Sequence, residues 1–148
     1  MSDHDDVVAK ISEAYEKRGF QVQNRRNNLP QGSRRVEAIY RPDLLVKSQS
    51  SGQIACIVEV ETSAQAGKSI AGAAILADVC IEIEKERGRQ QKSPKLIFVF
   101  YRPSANLKLA EKRLIELTRY NRIKCLEEIL FLSEKGALEK ISQSEYIA

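Results

Sequence analysis

The sequence has a single histidine, three cysteines with no CxxC pair and no apolar run approaching the length of a membrane span. Each shortage removes a class of chemistry. With His4 alone, and Cys56, Cys80 and Cys125 far apart, the chain excludes a structural zinc site of the usual Cys/His kind, a Ser-His-Asp triad and a Cys-His dyad. The three cysteines sit in apolar patterns and read as small core residues of a reducing compartment. A bilayer needs about 20 consecutive apolar residues, and the start of the chain, with Asp3, Asp5 and Asp6, lacks the basic and apolar regions of a signal peptide. A cytoplasmic protein with no membrane partner is the expectation. Internal repeats, linkers and low-complexity tracts are missing too, so the 148 residues, 43% of them hydrophobic, predict one domain around one core. Any chemistry must fall to carboxylates and cations.

What is present reads as an α/β order with short connections. Val7, Val8, Ile11, Ala14 and Tyr15 recur at helical spacing, and Gly19 stops a first helix over 4–18. Phe20 to Gln23 alternates as a strand, Asn24 to Ser33 is a loop by its turn residues, and Val36 to Val46 predicts a second strand. Pro42 inside that strand implies a kink or an edge position. The polar turn Ser48 to Gln53 is too short for a crossover helix, so the strand that follows from Ile54 is an antiparallel neighbour. A long helix is expected from Ser63 to Arg87, with Ile70, Ala73, Ala74, Ala77 and Ile81 as its buried stripe. Lys95 to Tyr101 suits a doubly covered strand. Leu107, Ala110, Leu114 and Leu117 mark another helix, Ile123 to Leu132 a strand region, and Ala137 to Ile141 a short terminal helix.

The pattern richest in chemistry is Asp43 in Arg41-Pro42-Asp43-Leu44-Leu45-Val46, followed by Glu59-Val60-Glu61 at the end of an apolar strand. Side chains alternate along a strand, so Glu59 and Glu61 share a face while Val58 and Val60 point the other way, into the core. Adjacent carboxylates beside so apolar a run repel one another unless a cation lies between them. Mg²⁺ takes one or two carboxylates and completes its shell with waters and a substrate phosphate. The competing reading has Asp43 ending a turn and both glutamates in solvent beside Lys or Arg.

Pro42-Asp43, a gap rich in Ser, Gly and Gln, and Glu59 after an apolar strand resemble the PD-(D/E)xK nuclease superfamily, in size and element order its archaeal Holliday junction resolvases and restriction-endonuclease-like proteins. The resemblance covers about residues 5 to 100. It implies a restriction-endonuclease-like α/β fold, a mixed central sheet flanked by helices. The implied activity is metal-dependent DNA endonuclease, with Asp43, Glu59 and the Val60 carbonyl holding Mg²⁺ or Mn²⁺, and a homodimer, since two strands need two sites. The chain departs from the pattern at Glu61, where the superfamily carries a lysine that helps position water and neutralises charge on the phosphate. Lys68 is the candidate replacement: if Ser63 caps the next helix, Lys68 lies about one and a half turns in and reaches back toward the strand end. Gln65 is a polar helper on the same turn. Alternatively Glu61 recruits a second metal, or the site is silent. Relatives also place a metal-helping acid in the first helix; the matching position falls nearest Val8 and is empty here, and Asp6 stands first among the minor candidates Asp5, Asp6 and Glu13, of which Asp5 and Asp6 also suit a helix start. Tyr101-Arg102-Pro103 is a candidate substrate contact at the same end of the sheet.

Charge adds a partner. Residues 17–47 carry eight cations and two acids, +6 in a chain of +4, which leaves −2 elsewhere. Arg25, Arg26, Arg34, Arg35 and Arg41 suit a phosphate backbone, because the planar guanidinium forks onto phosphate. Replacing Asp43 or Glu59 by Ala is expected to abolish cleavage and leave the fold intact. The alternatives are a catalytically silent nuclease-fold module that binds nucleic acid or a protein, and an unrelated α/β binding protein whose acids are solvated.

Overall fold

In the computed structural model, the residues described are 3–24, 40–62, 67–88, 90–102, 106–118 and 123–143. They form helix α1 (Asp3–Lys17), strands β1 (Phe20–Asn24), β2 (Leu44–Ser48) and β3 (Ile54–Glu61), helix α2 (Gly67–Glu86), strand β4 (Lys95–Phe100), helix α3 (Leu107–Thr118), strand β5 (Glu128–Ser133) and helix α4 (Glu134–Ser142). The five strands make one mixed sheet in the order β1-β2-β3-β4-β5. β1, β2 and β3 run antiparallel, and β3, β4 and β5 run parallel. The expected α/β class, a mixed sheet with flanking helices, is the observed one.

Both faces of the sheet are covered. Val7, Ile11 and Tyr15 of α1 and Ala137 and Ile141 of α4 pack on Leu44, Val46, Cys56, Val58, Val60, Ile97 and Val99. On the opposite face Ile70, Ala73, Ala74, Ala77 and Ile81 of α2, with Ala110 and Leu114 of α3, cover Leu45, Ile57, Leu96, Phe98 and Phe100. The small α2 stripe lets that helix lie close to the strands, and every residue of β4 is buried. The side chain of Leu117 lies outside the description. Cys56, Cys80 and Cys125 are buried and free. Among the described residues no helix is long and apolar enough to cross a membrane.

Three boundaries differ from expectation. β2 begins at Leu44, so Pro42 precedes the strand instead of kinking it, and β2 lies between β1 and β3, away from the sheet edge. Residues 36–39 lie outside the description. β5 begins at Glu128 and not at Ile123, because the N–H groups of Lys124, Cys125 and Leu126 all donate to the buried Asp78 carboxylate on α2 (2.6–3.2 Å). α4 begins three residues before Ala137, where the Ser133 hydroxyl accepts from the Gly136 N–H and caps it.

Candidate functional site

The directions of the strands decide what meets at one end of the sheet. β1 ends at Asn24 opposite Leu44, β2 begins at Leu44 opposite Val58, and β3 and β4 end together at Glu61 and Phe100. Asp43, Glu59, Glu61 and Tyr101 therefore gather where the parallel strands finish, the end at which open α/β sheets bind ligands. The Tyr101 N–H donates to the Glu61 carbonyl at 3.4 Å, which continues the ladder into the predicted Tyr101-Arg102 segment.

Asp43 and Glu59 sit where β2 and β3 stop pairing, and their side chains replace the missing ladder bonds. The Asp43 N–H donates to Glu59 Oε1 at 3.0 Å, and the Val60 N–H donates to Asp43 Oδ2 at 2.8 Å. Pro42 has no N–H to give, so pairing ends here by chemistry as well as geometry. Tyr40, buried in the α2 layer, donates its hydroxyl to Glu59 Oε1 at 3.2 Å. Asp43 is 4% and Glu59 7% exposed, so neither is a solvated turn acid.

Burial pushes the Glu59 carboxyl up from its ordinary 4.5 to about 8, and the neighbouring Asp43 and Glu61 charges push it the same way against the pull of the Asp43 N–H and the Tyr40 hydroxyl. Tyr40 is likewise held well above the ordinary phenol range, first by burial and then by the Glu59 charge beside it. A second negative charge in this pocket is disfavoured without a cation beside it.

The first helix supplies a partner that the reading of its acids missed. His4 Nε2 lies 3.3 Å from Asp43 Oδ2, and its Nδ1 lies 3.3 Å from Asp5 Oδ1. A signal was available: positions 4, 7, 11 and 15 form one helical stripe, and Val7, Ile11 and Tyr15 on it are buried against the sheet. Asp6, half-buried in the same turn, is not among the described walls of an open cleft of about 600 Å³, which are His4, Asp5, Val8, Ala9, Ser12, Glu13, Glu16, Asn24 and Asp43. Of the two paired acids only Asp43 lines this cleft; Glu59 lies on the α2 face of the sheet.

Other predicted residues are located less fully. Arg41 is exposed beside the acids, and Glu61 is half-buried at the end of β3. Lys68 is the second residue of α2 as described, and its side chain lies outside the description. Arg25, Arg26, Arg34, Arg35, Ser63 and Gln65 also lie outside the described residues. No family model, curated protein or solved structure matches the chain.

Among the described residues no three His, Cys, Asp or Glu side chains form a metal-holding group. Mg²⁺ does not require one, because it keeps several waters and takes one or two carboxylates. An ionised carboxylate has about four acceptor sites, more than the contacts to Asp43 and Glu59 fill, so this donor pair fits a hard divalent ion.

Proposed function

We propose that the chain is a metal-dependent DNA endonuclease that hydrolyses phosphodiester bonds with Asp43 and Glu59 as the cation-holding pair. One observation carries this reading: two buried carboxylates side by side at the end of the sheet where the parallel strands finish, Glu59 accepting the Asp43 N–H and Asp43 the Val60 N–H, with burial and the neighbouring charges raising the Glu59 pKa to about 8. Bound Mg²⁺ or Mn²⁺ supplies Lewis acidity toward the phosphate and lowers the pKa of a coordinated water. Asp43 and Glu59 hold the ion, with the Val60 carbonyl as a further donor. Glu61 or Lys68 assists the attacking water, and Arg41 with Arg25, Arg26, Arg34 and Arg35 grips the DNA backbone. A homodimer places one site on each strand of a duplex.

A specific observation favours a second reading, a catalytically silent module of the same kind that binds nucleic acid or a protein. Both acids already accept backbone N–H groups and so have a structural task, and Glu61 stands where a cation is expected. The same bonds make alanine a poor test, since Asp43→Ala strands the buried Val60 N–H. Asp43→Asn and Glu59→Gln keep an acceptor in place. The nuclease predicts Mg²⁺- or Mn²⁺-dependent cleavage within a panel of labelled DNA junctions, flaps and duplexes, reduced at least about 100-fold in either variant. Equal cleavage by the variants sinks the assignment, and calorimetry that finds no carboxylate-dependent Mg²⁺ or Mn²⁺ binding favours the silent module.

A further inference from the structure

We propose that His4 Nε2 and Asp43 Oδ2 form one edge of the shell of a divalent cation that accepts nitrogen, of the Zn²⁺ class, with Asp5 orienting the imidazole. The inference rests on Asp43 being a cation ligand, as in the function proposed above, and it assigns the ion and a ligand from a different element.

Three features of the geometry support it. Asp5 Oδ1, 3.3 Å from Nδ1, accepts the ring proton in one of the two neutral tautomers of His4, the one that leaves a lone pair on Nε2. That lone pair faces Asp43 Oδ2, a second acceptor, at 3.3 Å. Two acceptors so close call for a positive species between them or on one of them. The separation suits a metal: donors about 2.0–2.2 Å from one ion lie roughly 2.9–3.5 Å apart along the edge of an octahedral or tetrahedral shell.

The surroundings agree. Metal-binding histidines characteristically give their other ring N–H to a carboxylate, which fixes the tautomer and raises the basicity of the ligating nitrogen, and Asp5 stands in that position. The His4 side chain is 31% exposed and Asp43 only 5%, so an ion enters from the cleft, where waters complete its shell, and meets the imidazole on the way to the buried acid. Glu13 and Glu16 on the cleft wall favour cation entry further. Imidazole suits Zn²⁺ and the other late first-row ions, whereas Mg²⁺ prefers oxygen throughout.

The solitary histidine makes the test direct. In the ¹⁵N-labelled full chain, long-range ¹H–¹⁵N spectra carry one imidazole, and zinc chloride is expected to shift Nε2 saturably while Nδ1 stays protonated. Magnesium chloride leaves the ring unshifted. The zinc shift disappears in Asp43→Asn. In calorimetry His4→Gln and the exposed Asp5→Asn each weaken Zn²⁺ binding about tenfold or more, with Mg²⁺ binding within about twofold of the parent chain. If Zn²⁺ or Mg²⁺ binds through Asp43 and Glu59 while the His4 resonances stay still, this inference falls and the nuclease reading stands. A zinc shift at His4 in a chain that cleaves nothing with any cation has the opposite meaning. Absence of any cation binding overturns both.

Discussion

Glu59 ties the local energetics of the site to something measurable in the whole chain. Its carboxyl titrates near 4.5 when unfolded and at about 8 when folded, so between those pH values the native state holds a proton that the unfolded chain has released. Stability therefore falls as pH rises from about 4.5 to about 8 and levels off above, the reverse of a salt-bridged acid. Urea denaturation at pH 5 and pH 8 is expected to show a loss of roughly 1–4 kcal/mol in the parent chain that Glu59→Gln lacks, the difference removing the other titrating groups. Equal slopes for the two proteins would mean that Glu59 is ionised when buried. Asp78 carries a second residue-scale expectation. It receives the Lys124, Cys125 and Leu126 N–H groups on the α2 face, and Asp78→Ala should cost about 2–4 kcal/mol in the same assay by stranding them. The place of Glu59 beside Asp43 was legible in sequence, but the role of Asp78 was not. An aspartate in a helix reads as a solvated charge until the loop folded over it is known, and the stripe that carries His4 shows that it faces the sheet but not that β2 brings Asp43 beneath it.

At the scale of elements the sequence spoke clearly wherever burial follows a period. α1 and the α2 stripe came from 3.6-residue spacing, and β4 from an unbroken apolar run, because both faces of the sheet are covered and nothing in those segments contradicts the pattern. Ends of elements were harder, since a side chain far away in sequence took over the backbone groups there. Glu59 takes the Asp43 N–H and halts β2, and Asp78 takes three N–H groups before β5. α4 shows the opposite case, a local signal that periodicity overlooks. Ser133 caps the helix through the Gly136 N–H at 3.0 Å, so the element begins at Glu134. Ser133→Ala is expected to cost about 1 kcal/mol, read as a fall of roughly 2–5 °C in the melting midpoint. Gly136→Ala should gain less than the ordinary helix preference for Ala, because a Cβ there comes within 3.1 Å of the capping Ser133 Oγ. A gain of the full 1 kcal/mol or so would show that the cap yields at no cost.

Charge belongs to the whole molecule, and it divides the chain in a way no single contact reveals. The +6 of residues 17–47 is set against −2 over the rest, while the described cleft walls beside Asp43 carry Asp5, Glu13 and Glu16. An acidic recess suits an ion and repels a bare phosphate, so the nuclease reading demands that the arginines offset this repulsion when DNA approaches. That demand has a thermodynamic signature. Each phosphate neutralised on duplex DNA releases close to one counterion, giving a slope of about −0.9 per contact in log affinity against log salt. If Arg25, Arg26, Arg34, Arg35 and Arg41 all engage the backbone, the slope should lie near −4 to −5, and replacing Arg25 and Arg26 by Ala should reduce it by about 2 with little dependence on DNA sequence. Fluorescence anisotropy of a labelled duplex between 50 and 300 mM salt measures both slopes, in Asp43→Asn so that cleavage does not intrude. An unchanged slope in the Arg25/Arg26 variant would leave this basic stretch a solvated surface, and the acidic cleft would then stand without the counterpart that a phosphate substrate requires.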